Sequence, residues 1–321
     1  MMKSRTLLAC LLGTCLIVLA PLPTMAQDVK IGVSFDKVEP FREAQKAGLD
    51  AAIAAAGASQ SFANADKDAQ RQASQVDSLI SEGVGAIIAI PWDIEAAVTI
   101  AQVAEASGIP FITMDQAPAD LEAVTYHVGG DPCADGRAAG EFFVKVADGQ
   151  PFKLLEIQGS LSNDNGIRRS SCLNEALASA GNVSVVAQVP TDWNTERAMI
   201  ATQNTLQEHP DLNGIYVPFN DGLNGVFSAL EARGRLKPVG EDGHVTIVSI
   251  DGLPIGCKAV QDGFLDLDIA TPIPAMSTKA VEAALKASAG EELQAKAEFL
   301  PGVPYGKADL EAKADELWGC K

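Results

Sequence analysis

Carboxylates, amides and aromatic rings recur in this chain just past short apolar runs. After residues 30–34 come Asp36, Glu39, Phe41 and Arg42; after 86–90 come Trp92 and Asp93; after 110–114 come Asp115 and Gln116. Further along, Ser160 to Arg169, including Asn165, follows 153–157, and Asp192-Trp193-Asn194 follows 183–189. Asn220-Asp221 and Asp251 come after 214–217 and 245–250. Carboxylates and amides exchange paired hydrogen bonds with vicinal hydroxyls, and flat rings cover apolar C–H faces. The set therefore suits a sugar or polyol. Taken singly, each residue could be an ordinary loop or helix N-cap residue; the recurrence at run ends carries the reading.

Signatures of turnover are missing. Gly83-Val84-Gly85 lacks the third glycine of a dinucleotide fingerprint, and no phosphate loop, G-x-S-x-G elbow or H-E-x-x-H occurs. Ser34-Phe35-Asp36-Lys37 matches S-x-x-K by letters only, without its partner motifs. Asn163-Asp164-Asn165-Gly166 lacks the later ligands of a calcium loop, and His127, His209 and His244 stand far from any cysteine. No catalytic residue, metal or cofactor is assigned.

The elements that would position the polar residues alternate. The pattern gives strand 30–34, helix 41–56, helix 66–82, strand 86–90, helix 94–107, and strands 110–114 and 124–128. A second series gives helix 134–147, strand 153–157, helix 166–180, strand 183–189, helix 195–208 and strand 214–217. It continues with helix 222–233, strand 245–250, helix 254–262, strand 265–270 and helix 275–288. Unbroken apolar runs between amphipathic helices are what parallel sheets covered on both faces require. Two such α/β units without a low-complexity linker imply lobes facing across a cleft, with ligands beyond the carboxyl ends of the strands.

With 321 residues, 47% of them hydrophobic and 21% charged, the chain can bury a sizeable core. A net charge of −18 repels phosphate backbones and anionic membrane surfaces, which argues against nucleic acid as a partner. Lys3 and Arg5, the apolar run Leu7 to Ala20, and Pro21-Leu22-Pro23-Thr24-Met25-Ala26 form a secretory signal with cleavage expected after Ala26. That run falls short of the roughly 20 residues that span a bilayer, and Leu12-Gly13-Thr14-Cys15 matches a lipobox poorly, so soluble export is expected without membrane insertion. Once Cys10 and Cys15 leave with the leader, Cys133, Cys172, Cys257 and Cys320 remain in an oxidising compartment, where three pairings are open.

The chain resembles the periplasmic sugar-binding proteins of ABC importers, in particular the ribose-binding group of the type I periplasmic binding proteins. The resemblance runs over roughly residues 28–300. Its motifs are Lys30-Ile31-Gly32-Val33-Ser34 with Pro40-Phe41, Gly108-Ile109-Pro110-Phe111-Ile112-Thr113-Met114-Asp115, Gly136-Arg137-Ala138-Ala139-Gly140, Leu155-Glu156-Ile157-Gln158-Gly159, Arg168-Arg169, Asn220-Asp221 and Val248-Ser249-Ile250-Asp251-Gly252. It implies α/β architecture: two doubly wound parallel-sheet lobes joined by a hinge of three crossings, near Gly130-Asp131, Thr271 and Phe299-Leu300. The leader 1–26 would be followed by an N-lobe of 27–130 plus 272–299 and a C-lobe of 131–271 plus 300–321.

By the same resemblance, Phe41 and Trp193 would pack against the ligand from opposite lobes. Asp115, Asn220 and Asp251 would bind hydroxyls, Arg169 would donate to ligand oxygens, and Thr271 replaces a glutamine usual at the hinge. Glu39 stands where the ribose binders have asparagine, Arg42 where they have a second aromatic, and Gln116 where they have arginine, so a polyol or another small hydroxylated ligand is as well matched as ribose. Asp36, Trp92 and Asn165 are further candidates. All four mature cysteines would fall in the C-lobe, which favours Cys133 with Cys172 and Cys257 with Cys320. The function implied is that of a monomeric periplasmic solute-binding protein delivering a monosaccharide or polyol to a membrane permease. A sensor presenting sugar to a chemoreceptor or kinase is the alternative, and a secreted sugar-modifying enzyme the more distant one.

Overall fold

The computed structural model describes residues 29–321. The expected leader and its cleavage site lie outside the described residues. Two six-stranded sheets form, one per lobe.

Sheet A contains β1 (Lys30–Phe35), β2 (Ser59–Asn64), β3 (Ala86–Ile90), β4 (Phe111–Met114), β5 (Tyr126–Gly130) and β11 (Ala297–Leu300) in the order β11-β5-β4-β3-β1-β2, all parallel. Helices α1 (Pro40–Ala55), α2 (Ala69–Ser81), α3 (Ile94–Ala106) and α9 (Ile273–Ser288) cover it. Sheet B contains β6 (Phe152–Gln158), β7 (Val183–Pro190), β8 (Gly214–Val217), β9 (Thr246–Asp251), β10 (Leu267–Ala270) and β12 (Val303–Tyr305). Its order is β12-β10-β9-β8-β6-β7, and β12 is antiparallel to β10. Helices α4 (Pro132–Ala147), α5 (Asp164–Leu177), α6 (Thr195–Glu208), α7 (Leu223–Ala232) and α8 (Pro254–Asp262) pack on it.

Alternation along the strands divides the apolar residues between two faces. In β3, Ala86, Ile88 and Ile90 pack with Leu49 of α1 and Met276 and Ala280 of α9, while Ile87 and Ala89 pack with Leu79 of α2 and Ile100 and Ala104 of α3. Sheet B repeats the scheme, with Leu155, Ile215 and Ile247 on one side and Leu154, Tyr216 and Val248 on the other. Each fully buried Leu, Ile or Val contributes about 1.5–3 kcal/mol, so both sheets are held from both faces.

The structure corrects several element bounds. Strand β2 was not expected, because Ser-Gln-Ser-Phe-Ala-Asn has no apolar run; it is an edge strand and half-exposed. The short strands β11 and β12 escaped for the same reason of weak pattern. The strand expected at 124–128 begins instead at Tyr126 and runs through Gly129 and Gly130; a Cβ at Gly129 would lie 3.0 Å from the Asp115 carbonyl oxygen. Helices α4 and α9 begin two residues earlier than the apolar pattern implied, with proline in the first turn, where its missing N–H is harmless.

The backbone passes between the sheets at Gly130-Asp131, at Thr271-Pro272 and at Pro301-Gly302, just past Leu300. The first and third passages are joined where Asp131 N donates to Leu300 O at 2.9 Å. The second is held by Trp318 Nε1, which donates to Thr271 O at 2.8 Å. Disulfides Cys133–Cys172 and Cys257–Cys320 tie α4 to α5 and α8 to the C-terminal tail.

Candidate functional site

Between the lobes lies a cavity of about 50 Å³, walled by both sheets. A cavity needs roughly 10–15 Å³ to hold one water, so this is room for a few atoms' width of ligand. Sheet A's lobe supplies Lys37, Glu39, Phe41, Arg42, Asp115 and Gln116; sheet B's supplies Asn165, Arg169, Trp193, Phe219, Asp221 and Asp251. Every one follows a strand end or opens the following helix.

The sheet A wall is organised by Arg42, in the first turn of α1. Its Nε and Nη2 bond bidentately to Asp36 at 2.8 and 3.0 Å, and Nη1 donates to Asp115 Oδ2 at 2.6 Å and Gln45 Oε1 at 2.7 Å. The Gln116 amide completes the set when its Oε1 faces Arg42 Nη2 at 2.6 Å and its Nε2 donates to Pro91 O at 2.7 Å. Burial works against the guanidinium's charge, but Asp36 and Asp115 outweigh it and raise its pKa. All five donors are thus occupied by protein, and Arg42 builds the wall instead of offering hydrogen bonds to a ligand. Asp115 keeps spare acceptor capacity, since its Oδ1 receives only Asn165 Nδ2, at 3.2 Å, across the cleft. Glu39 is flanked by Lys37 and by Lys67 at 2.7 Å; burial opposes ionisation there, but the two ammonium groups lower its pKa.

The sheet B wall centres on Arg169. Its Nη1 donates to Pro218 O at 2.8 Å and lies 3.6 Å from Asp251 Oδ1, while Nε has no protein partner. Asp251 Oδ2 accepts from Asn220 N at 3.1 Å, and burial raises the Asp251 carboxyl well above the usual range although Arg169 opposes it. Trp193 stands edge-on to Phe219, with centroids 5.6 Å apart, and its ring lies over Gly159, where a Cβ would come within 2.0 Å. Asp221 is raised by burial and by Glu39 across the cleft.

Three cavity residues, Asp115, Trp193 and Asp251, have positive φ values of 68°, 60° and 129°. Each such conformation costs on the order of 1–3 kcal/mol and persists only where surroundings enforce it. All three line the one cavity between the lobes.

The structure therefore brings together Glu39, Phe41, Asp115, Arg169, Trp193 and Asp251, with Arg42, Gln116 and Asn165. It sets Asn220, Thr271, Asp36 and Trp92 back from the cavity. Asn220 turns inward in a short 3-10 turn: its Nδ2 donates to Ser249 Oγ and Asp268 Oδ1, and its Oδ1 accepts from Leu253 N. That turn presents Asp221 in its place. Thr271 is buried at the hinge, Asp36 lies behind Arg42, and Trp92 N donates to Gln72 Oε1 on α2. Lys37 and Phe219 were not in the expected set, and Asp221 was read only as a strand-end residue beside Asn220, without a ligand role; strand-end position was the available signal. Among the described residues no group of three or more His, Cys, Asp or Glu side chains is placed to hold a metal ion, and no helix is long and apolar enough to cross a membrane.

Buried carboxyls give the fold an unusual acid response. Burial pushes Asp135 and Asp268 up to about 6 and holds the Asp251 carboxyl well above its ordinary range. These groups hold protons in the folded chain where the unfolded chain has lost them, so stability rises as pH falls through about 6 towards the ordinary carboxylate range. Buried His127, lowered to about 4, acts the other way below about 6.5, as one group against three. The ligand-free melting temperature is expected to be higher at about pH 5 than at about pH 7.5; a decrease over that interval would contradict the buried-carboxyl account.

A profile of the periplasmic binding protein domain matches residues 31–292. The chain is 30% identical to the ribose import binding protein of Escherichia coli (strain K12) over 226 residues, 70% of this chain and 73% of that protein. It is 32% identical to the xylitol-binding protein of Mycolicibacterium smegmatis over 238 residues, 73% of this chain and 65% of that one. Among solved structures, a Bacillus halodurans ABC transporter solute-binding protein with bound myo-inositol superposes with TM-score 0.83 at 22% identity, covering 90% of this chain and 98% of the other. A Mycobacterium smegmatis ABC transporter solute-binding protein with bound glycerol gives 0.81 at 26% identity, covering 89% and 96%.

Proposed function

The chain belongs to the periplasmic binding protein family, whose members capture solutes without turning them over, and we propose that it captures a monosaccharide or polyol between its lobes for delivery to the permease of an ABC importer. The observation that carries this reading is the cavity itself, in which each lobe contributes an aromatic ring, Phe41 or Trp193, and a carboxylate with spare acceptor capacity, Asp115 or Asp251. Hydroxyls of a ligand would donate to Asp115, Asp251 and Asp221 and accept from Arg169 and Lys37. Four carboxylates against three cations line the space, so a neutral ligand fits better than a sugar acid or sugar phosphate. Because the Arg42 donors are already taken, no second ring or free cation comes from that position, and this favours a small polyol or pentose over a close copy of the ribose site.

Closure would bring together the segments up to 130 and 272–299 on one side and 131–271 and 300–321 on the other, as ligand contacts bridge the lobes and stabilise the closed form. Residence in the periplasm follows from the family, and cleavage after Ala26 is part of the same proposal. The test is a thermal-shift panel on protein unfolded and refolded to strip carried-over ligand, against pentoses, hexoses, tetritols, pentitols and inositols. A ligand that binds only the folded state raises the melting temperature by mass action. One stereochemical series should give a large shift that Arg169→Ala abolishes; no shift across the panel would reject the sugar or polyol class.

A further inference from the structure

Cleft and hinge meet at one side chain that does not line the cavity. Asp135, in the first turn of α4, is 2% exposed. Its Oδ1 accepts from Gly302 N at 2.9 Å, where the third crossing enters sheet B. Its Oδ2 lies 3.9 Å from Arg169 Nη2, and an ideal Cβ at Gly130, in the first crossing, would lie 4.0 Å from that same oxygen. Gly302 has little room for a side chain, since a Cβ there would meet Asp135 Oδ1 at 2.7 Å and Ile269 Cγ2 at 2.6 Å.

The helix does not need this carboxylate. Asp131 caps α4 by accepting from Cys133 N and Ala134 N. An amide would also serve Gly302, because an Asn oxygen accepts the same hydrogen bond. A buried charge is unfavourable without a partner, and the only cation within 4 Å of Asp135 among the described residues is Arg169. The charge is thus explained by what it does to Arg169, whose buried Nε has no protein partner.

We propose that Asp135 is a positioning residue that couples the cleft to the hinge, steadying the Arg169 guanidinium with one oxygen and the third crossing with the other. This rests on the ligand reading above and adds to it a route by which engagement of Arg169 biases the crossing backbone. Such linkage is reciprocal: whatever loosens the crossing weakens binding, and whatever frees Arg169 weakens closure.

The test uses the mature chain with both disulfides, carrying spin labels on noncanonical residues at the exposed positions Gln70 on α2 and Glu231 on α7. Interlobe distance distributions are recorded without ligand for wild type, Asp135→Asn and Asp135→Ala, and binding is measured with ribose, xylitol and myo-inositol as probes. Asp135→Asn keeps the acceptor for Gly302 and loses the charge, so its distribution should match wild type while the best probe binds about tenfold more weakly. Asp135→Ala should also broaden the distribution. An unchanged distribution in Asp135→Ala, or unchanged binding in Asp135→Asn, would overturn the coupling. If no probe binds wild type, the ligand class is wrong, and the distributions still decide the hinge contact. Should Asp135→Ala fail to fold, Gly302→Ala crowds the same contact from the other side and must broaden the distribution for the proposal to stand.

Discussion

Replacing Arg42 with Met is expected to cost about 3–5 kcal/mol of folding stability and to abolish ligand-induced stabilisation. Met matches the stem of the side chain but leaves Asp36 and Asp115 buried with no cation, and Gln45 and Gln116 without their donor. This guanidinium ties together three segments of the sheet A lobe: the turn after β1, the turn after β4 and α1 itself. Arg42→Lys should recover only part of the loss, because an ammonium cannot reproduce the bidentate fork on Asp36. Denaturant unfolding reads the effect, and a loss below about 1 kcal/mol would show that solvent or proton uptake compensates the two carboxylates.

Removing both disulfides should cost more in total. Cys133–Cys172 and Cys257–Cys320 close loops with sequence separations of 39 and 63, for which the chain-entropy estimate is about 4 kcal/mol each. Both lie in the sheet B lobe, so the loss should be unequal: the reduced protein is expected to unfold in two steps, with that lobe melting first. The Cys257–Cys320 pair has a second effect, because it anchors the tail that brings Trp318 Nε1 to the Thr271 carbonyl. Calorimetry with and without reductant checks both points. A single transition at an unchanged temperature would mean that neither bond constrains the unfolded chain.

Several features of the fold were legible because they depend on local pattern alone. The run Ala86-Ile87-Ile88-Ala89-Ile90 is buried on both faces and reads as a central parallel strand without further context. β2 has the opposite character, since half its surface meets water and its identity comes from pairing with β1, which no local pattern records. The site divides in the same way. Asp115, Trp193 and Asp251 follow strand ends and could be found by position. Asn220 and Asp221 differ only in which way a 3-10 turn points them, so the choice between them required coordinates. The role of Arg42 depends on residues 36, 45, 115 and 116 meeting in space, and it reverses the natural reading of an arginine at a ligand cleft from donor to scaffold.

The two short strands at the third crossing have a consequence for how the molecule is made. Ala297 in β11 pairs with His127, and Tyr305 in β12 pairs with Asp268, so both sheets receive their hinge-side edge strand from one stretch of nine residues. Neither lobe can finish while that stretch is missing, and β11 must be recruited over a very long loop, which slows assembly. A chain emerging from one end would hold two incomplete sheets with open edges until β11 and β12 dock, the kind of intermediate that aggregates or needs a chaperone. Completion of the two lobes is thereby synchronised at one shared edge.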